Sequence, residues 1–157
     1  MKKWRVLLGY ERKLVINSIG RSGGLCLFWY SSIEVNLLSY SQDHIDVKIK
    51  RDRGLWWRFT GFYGKPEHYQ WKHSWTLLRR IAGMSNLPWI CIGDFNEILW
   101  DNEKMGGCPK SWRKLAEFRE ALENCSLEDM GFAGPNFTWS NKKEGSASVL
   151  ERLDRGQ

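Results

Sequence analysis

The hydrophobic positions change their period along this chain. From Ile33 apolar and polar residues alternate: Ile33, Val35 and Leu37, then Ile45, Val47 and Ile49 set against Asp46, Lys48 and Lys50. Side chains two apart on a strand share a face, which predicts two half-buried strands joined through Ser41-Gln42-Asp43-His44 as an antiparallel hairpin. The segment RDRG (51–54) reads as the next turn and LWWRFTGFYG (55–64) as a third strand. Ahead of this meander, residues 1–13 read as the end of a helix and LVINS (14–18) as a strand. GRSGG (20–24) follows as a glycine turn. LCLFWY (25–30), apolar on both faces, reads as an interior strand.

After GKPE (64–67) the period lengthens to that of a helix. Trp71, Trp75, Leu78 and Ala82 recur at i, i+4, i+7 and i+11, Leu77 and Ile81 widen the stripe, and Gly83 offers a stop. LPWICIG (87–93) predicts a strand. Trp112, Leu115, Phe118 and Leu122 then mark a second helix with Ser111 as N-cap. NFTWS and VLERLDR predict two more short strands around the polar loop NKKEGSAS (141–148). No repeat, low-complexity tract or linker composition interrupts the chain, so one domain over residues 1–157 is expected. Strands come early and helices late, the order of an α/β or α+β sandwich in which helices cover mixed sheets.

Composition sharpens this picture. Ten Trp, seven Phe and five Tyr in 157 residues, with 42% hydrophobic content, exclude the intrinsically disordered class. Cys26, Cys91, Cys108 and Cys125 include no C-x-x-C pair. Cys26, Cys91 and Cys125 sit among apolar residues, as buried thiols of a reducing compartment would, so neither a disulfide-linked partner nor a zinc site is expected. No apolar stretch reaches the roughly 18 residues of a membrane span, and the charged start is no signal peptide. An intracellular protein, nuclear or cytoplasmic, is the expectation. The net charge of +6 favours an acidic partner, nucleic acid first among them. Between Lys48 and Arg58 basic residues crowd around Trp56 and Trp57. That stretch reads as a strand edge guarded by charge, with a nucleic-acid face as the alternative.

The candidate chemistry lies in PWICIGDFNEIL (88–99), an apolar run that breaks at Gly93. On a strand, Asp94 and Asn96 would project together while Phe95 turns inward. A carboxylate beside a carboxamide can deprotonate and hold an attacking water. The competing reading is a strand that ends in an Asx turn.

GDFN is accompanied by GRSGGL (20–25), GFYGKPE (61–67), FTWSN (137–141) and ERLDR (151–155). In this order the set resembles the endonuclease/exonuclease/phosphatase superfamily, and in wording the endonuclease domain of plant LINE-type non-LTR retrotransposons. The resemblance runs along nearly all of the chain. It implies a four-layered sandwich of two mixed β-sheets flanked by helices that cleaves DNA phosphodiesters with a divalent metal, usually Mg²⁺. It also implies roles for individual residues. Asp94 is the candidate base and Asn96 the holder of water and phosphate. Tyr63 contributes a hydroxyl near the phosphate, Thr138 supports the site, and Asp154 orients a histidine. Arg21, Lys142 and Lys143 are candidates for DNA phosphates. The chain departs from the family at both ends. The glutamate that binds metal near the start and the histidine of a Ser-Asp-His context near the end find no match, and His44, His68 and His73 have other neighbourhoods. The expectation is therefore a domain truncated at both ends, with two functional readings: an endonuclease that recruits the missing groups, or an impaired retroelement remnant with at most weak, nonspecific DNA binding.

Overall fold

The computed structural model describes residues 7–18 and 24–157. The chain divides into two compact units, Met1–Tyr63 with Asn86–Cys91 and Gly64–Ser85 with Ile92–Gln157. Among the described residues ten strands form three sheets, and two α-helices of more than one turn are present. The class is α+β, as the pattern predicts.

The first unit is built of strands. β1 (Arg12–Ile16) and β2 (Leu25–Trp29) pair antiparallel. A helix reaching residue 13 is thereby excluded. β2 has β1 as its neighbour in that sheet, its residues are half-buried and Cys26 is exposed, so it is not the interior strand its apolar run suggests. β3 (Ile33–Ser41) and β4 (His44–Arg51) form the expected hairpin, and β5 (Trp57–Tyr63) pairs with β4. The start of β6 (Trp89–Asp94) lies beyond β5, giving the order β6-β5-β4-β3.

Two local rules fail in this meander. A bulge between Leu37 and Ser39 shifts the register, so Leu37 is exposed and the alternation begun at Ile33 and Val35 is lost. Asp46, placed outside by pattern, is fully buried, because Arg58, two residues along β5 from its cross-strand partner Thr60, is buried too and donates to both carboxylate oxygens at 2.8 Å. Thr60 donates its hydroxyl to the same carboxylate at 2.7 Å and receives the Trp89 indole N–H at 2.8 Å. β4 is not an edge strand. Its Lys48 and Lys50 stand over the Trp56 ring at 4.7 and 5.7 Å, which accounts for much of the basic cluster without nucleic acid.

The second unit holds the helices. α1 (Trp71–Ala82) buries Trp71, Trp75, Leu78 and Ile81 and ends at Gly83, as predicted. α2 (Trp112–Asn124) buries Leu115, Phe118, Ala121 and Leu122. Trp112, read as part of that stripe, is instead 75% exposed in the first turn. Trp75 stacks on Phe118 at 4.5 Å and Phe95 meets the same ring at 5.5 Å, so the segment after β6 is anchored in the core of the helices. β7 (Lys104–Met105), β8 (Trp139–Ser140) and β9 (Leu150–Glu151) form a small sheet, order β7-β9-β8. β10 (Asp154–Gly156) runs antiparallel to the end of β6. Cys91 and Cys125 are buried, Cys26 and Cys108 exposed, and none of the four is in a disulfide. No helix among the described residues is long and apolar enough to cross a membrane.

Candidate active site

The polar residues of GDFN stand where β6 ends. Asp94 is the last residue of the strand and faces Asp154 across the β6–β10 ladder. The chain then turns: Asn96 adopts φ +54°, a left-handed conformation that asparagine tolerates better than most residues. Its backbone N–H donates to Asp94 Oδ1 at 2.8 Å, which is an Asx turn. Asn96 therefore does not share a strand face with Asp94; the turn, not the pleat, sets its direction. Phe95 is fully buried, as expected.

A second turn locks the first. The Asn96 side-chain amide donates to the Gly64 carbonyl at 2.7 Å, and the Gly64 N–H donates to the Asp94 carbonyl at 2.7 Å. Any Cβ at Gly64 would collide with the Phe95 backbone, so the approach of the two segments requires glycine there. The carboxamide oxygen of Asn96 and Asp94 Oδ2 have no hydrogen-bond partner among the described residues and remain for a ligand.

Thr138 and Asp154 are joined directly. The Thr138 hydroxyl oxygen accepts the backbone N–H groups of Leu153 and Asp154, both at 3.1 Å. Arg152 and Arg155, on either side, turn inward: Arg152 pairs with Glu103 at 3.0 Å and Asp129 at 3.1 Å, and Arg155 pairs with Glu103 at 2.8 Å. With both guanidiniums committed, Asp154 is exposed and does not form the surface pair with Arg152 that its sequence position suggests. Asp94, Asn96, Thr138 and Asp154 thus gather into one cluster.

Burial raises the Asp94 carboxyl above its ordinary range; the Asn96 N–H opposes this, and the negative charge of Asp154 adds to it. A cation between the two carboxylates would relieve that repulsion. Mg²⁺ binds through one or two carboxylates together with phosphate oxygens and water, so the donor set fits it. Among the described residues there is no group of three or more His, Cys, Asp or Glu that could form a full protein cage.

The remaining candidates stand apart from these hydrogen bonds. Tyr63 closes β5 in the first unit, half-buried, its N–H donating to the Asp43 carbonyl at 2.8 Å. Lys142 and Lys143 are exposed in the β8–β9 loop, which is shaped by bonds from their N–H groups to Ser140 Oγ and Asn141 Oδ1. Arg21 and most of its glycine turn lie outside the described residues. His44 is buried between the hydroxyls of Ser39 and Ser41, at 2.9 and 2.8 Å.

Sequence reasoning overlooked the charges beneath the cluster. Glu97, next to Asn96, is fully buried and accepts from Lys110 at 2.7 Å; burial pushes its carboxyl up while Lys110 pulls it down. Lys110 also reaches Glu151 at 3.0 Å, and Lys104 meets Glu151 at 2.6 Å. Burial alone would raise Glu151, but the two lysines outweigh it and hold its carboxyl below the usual range. The available signal was a glutamate directly before an apolar run, in NEIL, which a surface residue does not require.

No protein-family profile matches this chain, and no curated protein matches it. Among solved structures it is similar to the "endonuclease domain of TRAS1, a telomere-specific non-LTR retrotransposon", with a TM-score of 0.69 and 14% identity. The match covers 92% of this chain and 65% of that one, so the chain spans about two-thirds of that structure's length. At this identity the likeness speaks for the fold alone, an α+β fold like that of the solved domain.

Proposed function

We propose that the chain is an endonuclease-type domain of the retroelement kind that engages DNA phosphodiesters through Asp94, Asn96, Thr138 and Asp154 and cleaves them poorly or not at all. The observation that carries this reading is the facing of Asp94 and Asp154 at the end of the β6–β10 ladder, with Thr138 holding one strand and Asn96 the turn after the other. The likeness in fold to a retrotransposon endonuclease domain supports it.

Each residue has a distinct task. Asp94 Oδ2 is the proton acceptor for an attacking water, and the raised pKa places that carboxylate nearer the operating range of a general base. The Asn96 carboxamide, fixed by Gly64, orients water or a phosphate oxygen. Asp154 would hold Mg²⁺, drawn in also by the charge of Asp94, and the ion when bound supplies charge neutralisation at the phosphate. What the described residues do not supply is a proton donor for the departing oxygen: no histidine faces Asp154, and His44 is committed to Ser39 and Ser41. Groups that act as a unit lose most of their benefit when one is missing.

Nicking of supercoiled plasmid with Mg²⁺ tests the proposal. We expect activity at or near background, below an intact relative by on the order of 10³-fold or more. Robust nicking that Asp94→Asn abolishes would show a working enzyme with its other groups supplied from elsewhere. Equal traces of activity in both proteins would be a contaminant and leave the proposal standing.

A further inference from the structure

The second unit carries a basic cavity that the cluster around Asp94 does not use. It measures about 310 Å³ and is lined by the starts of both helices: His68 in the 3₁₀ turn before α1, Trp71 and Lys72 in α1, Ser111 at the N-cap of α2, and Arg113 and Lys114 in its first turn. Glu117 is the one acid on its wall, set against Lys72, Arg113 and Lys114, and it pairs with Arg113 at 3.4 Å. Three cations less one anion leaves +2 with His68 neutral.

These charges stand at the wrong ends of their helices. The N-terminus of a helix carries partial positive charge and favours Asp or Glu, and it offers N–H groups that a cap usually satisfies. Here neither α1 nor α2 has an acid in its first turn, and neither N-cap side chain makes a capping bond. Lysine and arginine occupy the places instead. A local conflict of this kind marks a site where stability has been given up for another purpose. A bound anion resolves it by neutralising the side chains where the helix dipoles also favour negative charge.

Trp71 adds a separate observation. The residue is 8% exposed, yet its indole Nε1 has no acceptor among the described residues, which is uncommon for a buried donor. Lys114, which lines the cavity, stands over its ring at 5.6 Å, while Lys110, at 5.5 Å, is paired with Glu97 and Glu151. Tyr69 and Trp112, 76% and 75% exposed, belong to the same two helix starts. Open aromatic faces beside cations suit an extended polyanion with bases better than an isolated phosphate ion.

We propose that this cavity binds phosphate groups of a nucleic-acid backbone, as a contact separate from the Asp94 cluster. The ligand class follows from the nucleic-acid reading above, but cleavage does not enter, so a chain that binds DNA without nicking it leaves this inference intact.

The test uses the full chain and a triple variant, Lys72→Gln with Arg113→Gln and Lys114→Gln, whose fold is checked by circular dichroism. Binding of a labelled oligothymidylate is titrated between about 50 and 200 mM salt. Loss of three contacts is expected to flatten the slope of log K against log salt by about 2. Arg113→Gln alone is expected to give about a third of that. The Trp71 indole resonance, assigned with Trp71→Phe, is expected to move when oligothymidylate is added to the unsubstituted chain. An unchanged slope in the triple variant overturns the proposal, as does an unmoved resonance. A resonance that moves with tripolyphosphate but not with the oligonucleotide also overturns it, since the cavity would then take free phosphate.

Discussion

Asp94 carries two roles in tension. One carboxylate oxygen closes the Asx turn that ends β6, and the other faces outward beside the charge of Asp154. An acid whose folded pKa is raised binds its proton more tightly when folded, so the folded state holds more protons than the unfolded one across the window from the ordinary carboxylate value upward. Stability then falls as pH rises through that window, and at neutral pH the ionised Asp94 costs folding free energy. In EDTA, Asp94→Asn should therefore raise the melting temperature at pH 7 by a few degrees, because the amide oxygen still accepts the Asn96 N–H while the charge is gone. The gain should fade as pH drops below the ordinary carboxylate range, where the native Asp94 is already protonated. A loss of stability at pH 7, or a gain that ignores pH, would contradict this. A polar pair at the end of a strand was legible in GDFN at the residue scale; the left-handed turn at Asn96 was not, because strand alternation and an Asx turn use the same four letters and only the Gly64 carbonyl decides between them.

Elements with strong periodicity were read correctly, and some of those set by pairing were not. α1 and the β3–β4 hairpin follow from spacing alone. Strands of two residues, such as β7, carry no period to detect, and β2 appeared interior because its apolar run cannot announce which neighbour it lacks. Asp46 shows the deeper limit: a charge on a strand reads as solvent-facing until its partner, 12 residues on, is known to be buried with it. Removing one member of such a pair strands the other without compensation. Asp46→Ala should cost about 3–5 kcal/mol, measured by urea denaturation, and Asp46 with Arg58 replaced together by apolar residues should cost less than the single change. A single variant within about 0.5 kcal/mol of the parent would mean that the pair does not hold β4 to β5.

For the molecule as a whole, charge and site make opposed demands. On the proposed reading a net charge of +6 draws nucleic acid in, while Asp94 and Asp154 repel a phosphate that approaches Asn96. The class of fold was legible from the order of strands and helices, and the ordered motifs named Asp94, Asn96, Thr138 and Asp154, which the fold brings near one another. The inward turn of Arg152 and Arg155, which leaves Asp154 exposed, was not, since their partners Glu103 and Asp129 lie far away in sequence. The most direct test of a phosphate-engaging cluster is duplex DNA affinity for the native chain and for Asp94→Asn, each in Mg²⁺ and in EDTA at constant ionic strength. The account predicts a reversal of sign: Asp94→Asn binds more tightly than the native chain in EDTA, where a repelling charge has been removed, and less tightly in Mg²⁺, where a charge that draws the cation has been lost. Affinities of the two proteins that respond identically to Mg²⁺ would contradict it.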